Sequence, residues 1–257
     1  MKFLAVATRR SGHHAVLNWM CHQLSGGVVW SNNVDLNLIT GELNIVEYGE
    51  KPHAHSLINI ETPHPDHVKT VWSKFKPDYL ITIHRDVYNW GASSWKRGWN
   101  PLEPHHKPMT RRMNTPQPTC MENYISYMRH ALGDECLIDD PYKCLMINYD
   151  LWFMDNQYRR EIIEGLGCEF TDHGFSEVID FGEGSSFDGL KFDGNGDKMS
   201  VLERWRDIDD PYFPHIFSEE VVDLSDRFFR GSNEKIDNML NNADAWIKEN
   251  KDERFSL

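Results

Sequence analysis

Two arginines, a serine and a glycine stand together in Arg9-Arg10-Ser11-Gly12-His13-His14-Ala15, after an apolar run ending at Thr8 and before residues with helical spacing. A strand that turns through Ser-Gly into a helix aims backbone N–H groups and the positive end of the helix dipole at one point, which makes an anion site. Arg10 adds a full positive charge beside it. The spacing G-x-x-x-x-G-K-[ST] is absent, so the phosphate lysine and magnesium-binding hydroxyl of a nucleoside-triphosphate loop are both missing. A second pair follows. Arg85 closes the run Ile83-His84-Arg85, and Ser93 lies eight residues later, about two helical turns on if a helix starts near Asp86. A dianionic phosphate suits such a pair, because a planar donor fork and a hydroxyl supply charge-assisted bonds of roughly 1.5–3 kcal/mol each.

Histidines gather at His53, His55, His64 and His67, near Glu61 and Asp66. Neutral imidazoles ligate zinc, but this spacing matches no standard site and no metal is expected. Residues 96–119 are rich in Pro, His and Arg and follow neither the helical nor the strand period, which predicts a long loop, a candidate substrate loop. Lys96, Arg97, Lys107, Arg111 and Arg112 oppose only Glu103 there, a basic island able to steer an anion, and Trp95 and Trp99 offer stacking surfaces.

The elements that must position these groups are legible as alternation. Lys2–Thr8, Ser56–Ile60, Tyr79–His84 and Cys144–Tyr149 are short, apolar and read as buried parallel strands. Helical spacing marks Ala15–Leu24 and Tyr158–Leu166, the latter stopped by Gly167, and then Met199–Arg206, Ile216–Phe229 and Glu234–Lys248. Strands separated by helices predict an α/β fold with a mainly parallel sheet whose ligands bind at the carboxyl ends of the strands. With 257 residues and 40% apolar content, one domain spanning 1–257 is expected, its C-terminal part (199–254) helical.

A net charge of −13 speaks against nucleic-acid or anionic-membrane partners, so any anion site is a local exception. No apolar run approaches the roughly 20 residues that span a bilayer. Met1 leads straight into the first strand, and the five scattered cysteines form no C-x-x-C pair. A cytoplasmic protein with reduced thiols is expected.

The Arg10-Ser11-Gly12 loop resembles the 5′-phosphosulfate loop of the sulfotransferase family, which carries a basic residue, Ser-Gly and then small or hydroxylated residues after the first strand. His13 and His14 stand where Thr is common, and Ala15 where many cytosolic members place an adenine-stacking Trp. Arg85 and Ser93 resemble the family's 3′-phosphate pair. Leu145-Met146-Ile147-Asn148-Tyr149-Asp150 resembles a strand ending in Tyr-Glu-Asp, which implies that Tyr149 meets the adenine through its ring or hydroxyl; a core-filling tyrosine is the alternative. Ser185-Ser186-Phe187 resembles a segment lining the adenine pocket. The family's basic Gly-rich C-terminal segment has no clear counterpart, and Arg204 and Arg206 are its substitutes.

The resemblance spans about Phe3 to Phe187 and implies a P-loop-like α/β fold and 3′-phosphoadenosine-5′-phosphosulfate (PAPS) as co-substrate, without a metal. It implies in-line transfer of a sulfuryl group to a hydroxyl or amine acceptor, with carbohydrate, small alcohol, phenol, lipid and peptide tyrosine all open. Relatives place a His or Glu base at the end of the strand preceding the arginine strand, a place held here by Glu61, with His64 in reserve. A carboxylate facing an apolar cleft is expected to have a raised pKa, as suits a base. A small-molecule kinase and a non-catalytic nucleotide-binding or interaction protein are the alternatives.

Overall fold

The computed structural model describes residues 1–32, 34, 44–49, 51–61, 63–98, 120–180 and 184–229. In chain order the strands and α-helices are β1 (Lys2–Ala7), α1 (His13–Gln23), β2 (Val28–Asn32), β3 (Asn44–Tyr48), β4 (His55–Glu61), α2 (Pro65–Phe75) and β5 (Tyr79–His84). They continue with α3 (Val87–Trp95), α4 (Cys120–Ala131), β6 (Cys144–Asn148), α5 (Tyr149–Met154), α6 (Asn156–Gly165) and α7 (Glu219–Phe229). The six strands form one sheet in the order β3-β2-β4-β1-β5-β6. Every pairing is parallel except β2 with β3. The result is an α/β domain, as the alternating pattern predicts.

β1 is apolar from Phe3 to Ala7 because both of its faces are covered there. Phe3, Ala5 and Ala7 pack with Val16, Trp19 and Met20 of α1, while Leu4 and Val6 face Val68 of α2 and Tyr127 of α4. A third apolar cluster joins α3, α4 and α7. From β1 the chain runs outward to β2 and β3, returns to β4, then crosses β1 to β5. Such a reversal leaves a crevice at the carboxyl ends of the strands.

Several sequence expectations need correction. β2, β3, α2 and α4 were not marked by the apolar pattern, and Tyr149 opens a helix, with Asn148 as its N-cap accepting from the Leu151 amide at 3.0 Å. The span 199–206 is not a helix: it is irregular and ends in a 3-10 turn at Arg204–Asp207. Its carbonyls are taken by side chains, that of Val201 by Arg85 and that of Leu202 by Asn89 at 2.7 Å, so a helical ladder is displaced. The helix expected over 216–229 starts later, at Glu219, after a 3-10 turn at Phe213–Ile216. The predicted helix 234–248 and most of the loop 96–119, with Trp99, Lys107, Arg111 and Arg112, lie outside the described residues. No described helix is long and apolar enough to cross a membrane.

The segment after α6 is anchored by an ion pair between buried Arg159 and half-buried Asp172. Arg159 donates from Nε and Nη2 to Asp172 at 2.8 and 2.7 Å, and from Nη1 to the Trp152 carbonyl at 2.7 Å. Its guanidinium lies 3.7 Å from the Phe175 ring centroid, and Trp19 Nε1 donates to the same carboxylate at 2.9 Å. Arg159→Met removes the guanidinium's charge-assisted bonds while Asp172 keeps those from Trp19 and Asn156, so stability is expected to fall by about 2 kcal/mol. A urea midpoint unchanged from wild type would show the pair to be dispensable.

His84, at the end of β5, is buried and hydrogen-bonded to Thr82 Oγ1 at 2.9 Å. Burial, reinforced by His130, brings its pKa down to about 3. The unfolded chain takes up this proton near pH 6.5 and the folded chain does not, so the contribution is complete above that pH and is lost progressively toward pH 3. Stability is expected to fall by about 2 kcal/mol between pH 7 and pH 5 from this residue alone. Urea titrations of wild type and His84→Leu at both pH values check this, and equal pH slopes in the two proteins would refute it.

Candidate active site

The crevice holds a cavity of about 350 Å³ whose walls come from the ends of four adjacent parallel strands. β1 delivers Arg9 and Arg10, β4 delivers Glu61, β5 delivers Arg85, and β6 leads into Tyr149. The segment 184–204 closes the far side with Ser185, Ser186, Met199, Val201 and Arg204.

The β1–α1 loop is a shaped cradle. Arg10 has φ 68° and Gly12 φ 83°, so two left-handed residues wind the backbone around the mouth of α1. No side chain caps α1 at Gly12, and a helix start of this kind suits an anion. Gly12 is required on two counts. Its positive φ disfavours a side chain, and a Cβ would lie 2.2 Å from Cε2 of Tyr149. The loop is held from behind by Trp90 Nε1, which donates to the Arg9 carbonyl at 2.7 Å.

Arg85 and Ser93 meet as their spacing predicts. Arg85 Nη1 donates to Ser93 Oγ at 2.9 Å and approaches the Arg10 carbonyl at 3.4 Å, so the two anion clusters adjoin in one cavity. Arg85 is 2% exposed, and among the described residues its Nε has no hydrogen-bond partner. Its guanidinium lies 5.0 Å from the Tyr149 ring centroid. Arg204 is also buried, held by Ser185 Oγ at 2.8 Å and Asp188 at 3.2 Å. Burial first, then the charge of Arg85, lowers its pKa to about 10, which leaves it cationic at neutral pH. Arg10 Nη1 reaches Ser186 Oγ at 3.3 Å and ties the cradle to the opposite wall.

Glu61 sits among three nitrogens. Arg9 Nε lies 2.8 Å from Oε2, while Nε2 of His13 and Nε2 of His14 each lie 3.2 Å from Oε1. Burial pushes the carboxyl upward, but the hydrogen bonds from His13 and His14 outweigh it and hold Glu61 well below the usual carboxylate range. The expected upward shift is therefore wrong, because the cleft at this point is lined by donors rather than by apolar groups. Burial, with His14 beside it, brings His13 down to about 4. At neutral pH His13 thus acts as a hydrogen-bond donor, and the full positive charge at the carboxylate comes from Arg9. An ionised carboxylate only accepts, so the network assigns the proton of His13 to Nε2 and leaves Nδ1 to accept from Ser11 Oγ at 3.4 Å.

Among the sequence-predicted residues, Arg9, Arg10, Gly12, His13, His14, Ala15, Glu61, Arg85, Ser93, Tyr149, Ser185, Ser186 and Arg204 all border this cavity. Ser11 is buried behind His13. Phe187 is packed with the α3–α4–α7 cluster, its ring 5.0 Å from the Arg204 guanidinium. His64 is elsewhere: it caps α2, accepting from the Asp66 amide at 3.2 Å, and is 44% exposed. Arg206 is also outside, 65% exposed and paired with Glu203. Asn32, Glu177, Val178 and Ile179 line the cavity without any sequence signal for them. Only the unrecognised β2 would have brought Asn32 to a strand end.

Comparison with protein-family models finds no match, and comparison with curated proteins finds none either. Among solved structures, mouse sulfotransferase SULT7A1 complexed with PAP is similar over 90% of this chain and 86% of that one, at 12% identity and a TM-score of 0.50. The likeness is one of fold, and it relates this chain structurally to a sulfotransferase.

Proposed function

We propose that the chain is a sulfotransferase that binds PAPS in this cavity and transfers its sulfuryl group to a hydroxyl acceptor. One observation carries the reading. Arg85 and Arg204, both nearly inaccessible to solvent, face the same cavity as the Arg10–Gly12 cradle in a chain of net charge −13. Buried cations beside one another raise each other's energy, and a ligand with phosphates at both ends relieves that repulsion. PAPS has that form, and the structural neighbour was solved with PAP, the corresponding 3′,5′-bisphosphate.

On this reading the 5′-phosphosulfate lies in the cradle and the 3′-phosphate meets Arg85 and Ser93, with Arg204 alongside. Tyr149 and Ile179 flank the adenosine. The acceptor hydroxyl hydrogen-bonds to Glu61 and passes its proton to the Glu61–His13–His14 network as its oxygen bonds to sulfur. Charge left on the bridging 5′-phosphate oxygen is stabilised by Arg10 and the loop amides. These are positioning and electrostatic tasks, and no covalent enzyme intermediate is needed.

Thermal-shift titrations with PAP, ADP and ATP, each with and without magnesium, test the donor assignment. PAP is expected to stabilise the chain most, independently of magnesium. Magnesium-dependent stabilisation by ATP would instead support a kinase. Turnover of radiolabelled PAPS across a panel of sugars, alcohols, phenols and tyrosine peptides then separates an enzyme from a binding protein.

A further inference from the structure

We infer that His13, His14 and Glu61, with Asn32, form a binding site for a divalent transition cation of the zinc class. Three of the six ligand-to-ligand separations are short and similar. Nε2 of His13 and of His14 each lie 3.2 Å from Glu61 Oε1, and His14 Nε2 lies 3.1 Å from Asn32 Oδ1. Donors bound to one ion at about 2.1 Å are separated by about 3.4 Å in a tetrahedron and about 3.0 Å in an octahedron. The His13, His14 and Glu61 donor atoms all fall within 4.8 Å of one another. Two imidazoles and a carboxylate are also the donor types that zinc and its neighbours prefer.

The groups behind these ligands fit the same role. A ligating histidine needs its other ring nitrogen held, and His13 Nδ1 lies 3.4 Å from Ser11 Oγ, a hydroxyl that accepts as readily as it donates. Asn59 Nδ2 donates to Asn32 Oδ1 at 2.8 Å and so fixes which amide atom faces the cluster. Arg9 takes Oε2 of Glu61 and leaves Oε1 to the ion. Its nearby positive charge weakens the affinity without occupying the site. All four residues border the cavity, so a further position on the ion opens toward it. An oxygen from water or from a hydroxylated acceptor fills that position and becomes more acidic there. The histidines gathered in sequence, His53, His55, His64 and His67, form no such cluster among the described residues.

The second described cluster, His22, His173 and Glu177, serves as an internal control. Its His173 is exposed, and Glu177 Oε2 is already shared by Asn18 and His22. The full chain, purified without a histidine tag, should be titrated with Co²⁺ by absorption spectroscopy and with Zn²⁺ by calorimetry, without nucleotide. One ion per chain is expected. His14→Ala and Glu61→Gln should each weaken it by at least about 10-fold, while His173→Ala leaves it unchanged. His14 is only half-buried, so His14→Ala is the variant expected to fold, checked by its melting temperature. Absence of binding, or binding lost in His173→Ala but kept in His14→Ala, overturns the inference. The readout involves neither PAPS nor turnover, so failure to bind an ion leaves the proposed reaction untouched, whereas an ion on Oε1 is an alternative state of Glu61 to the proton-accepting one, because Arg9 already holds Oε2.

Discussion

Glu61→Gln is expected to reduce PAPS-dependent turnover by about 10²- to 10⁴-fold, the range a positioned proton acceptor supplies. The affinity for PAP should stay within a few-fold, because on the proposed reading Glu61 meets the acceptor while Arg85 and Arg204, elsewhere on the cavity wall, meet the nucleotide. The pH dependence adds a second reading. Glu61 is held well below its ordinary pKa, so it is ionised and able to accept throughout the neutral range. Activity should therefore decline on the acid side only where Glu61 protonates, below ordinary carboxylate values. A near-neutral acid limb that disappears in Glu61→Gln would contradict the depressed pKa, and near-normal turnover in the variant would remove Glu61 as proton acceptor. Titration with Zn²⁺ or Co²⁺ distinguishes a lost base from a lost ligand.

Arg85→Met should weaken PAP binding by about 100-fold or more. Two charge-assisted bonds at roughly 1.5–3 kcal/mol each are lost, and each 1.4 kcal/mol is a factor of ten. Arg85→Lys keeps the charge without the planar fork, so a loss of about 10-fold is expected. Arg85 also holds the Val201 carbonyl, and its removal disturbs the turn that carries Arg204. Ser93→Ala avoids that complication: it removes one hydroxyl from a helix that remains anchored, and should cost about 10-fold or less. Calorimetric affinities equal to wild type in both Arg85→Lys and Ser93→Ala would place the 3′-phosphate elsewhere.

The chemistry was more legible in the sequence than the scaffold around it. β1, β4, β5 and β6 announce themselves as short, mostly apolar runs, and each leads into a polar group that borders the cavity. Val28–Asn32 and Asn44–Tyr48 are short and mixed in polarity, and the partners that make them strands are distant in sequence. Residues 199–206 mislead in the opposite direction. Their spacing is helical, but Arg85 and Asn89 claim the carbonyls that a helix would use. The failure at Glu61 has a similar origin. Its position was readable from the end of β4, but its pKa depends on Arg9, His13 and His14, which only the folded loop brings to it.

Arg10 occupies a backbone region that arginine ordinarily avoids, at a cost of about 1–3 kcal/mol. The empty protein therefore carries a burden at the residue that should grip its ligand, a burden glycine would relieve. Arg10→Gly should melt no lower than wild type while binding PAP more weakly, and a melting temperature clearly below wild type would refute the strain. An arginine at this bend sets a charge beside the cavity at the expense of how firmly the loop folds.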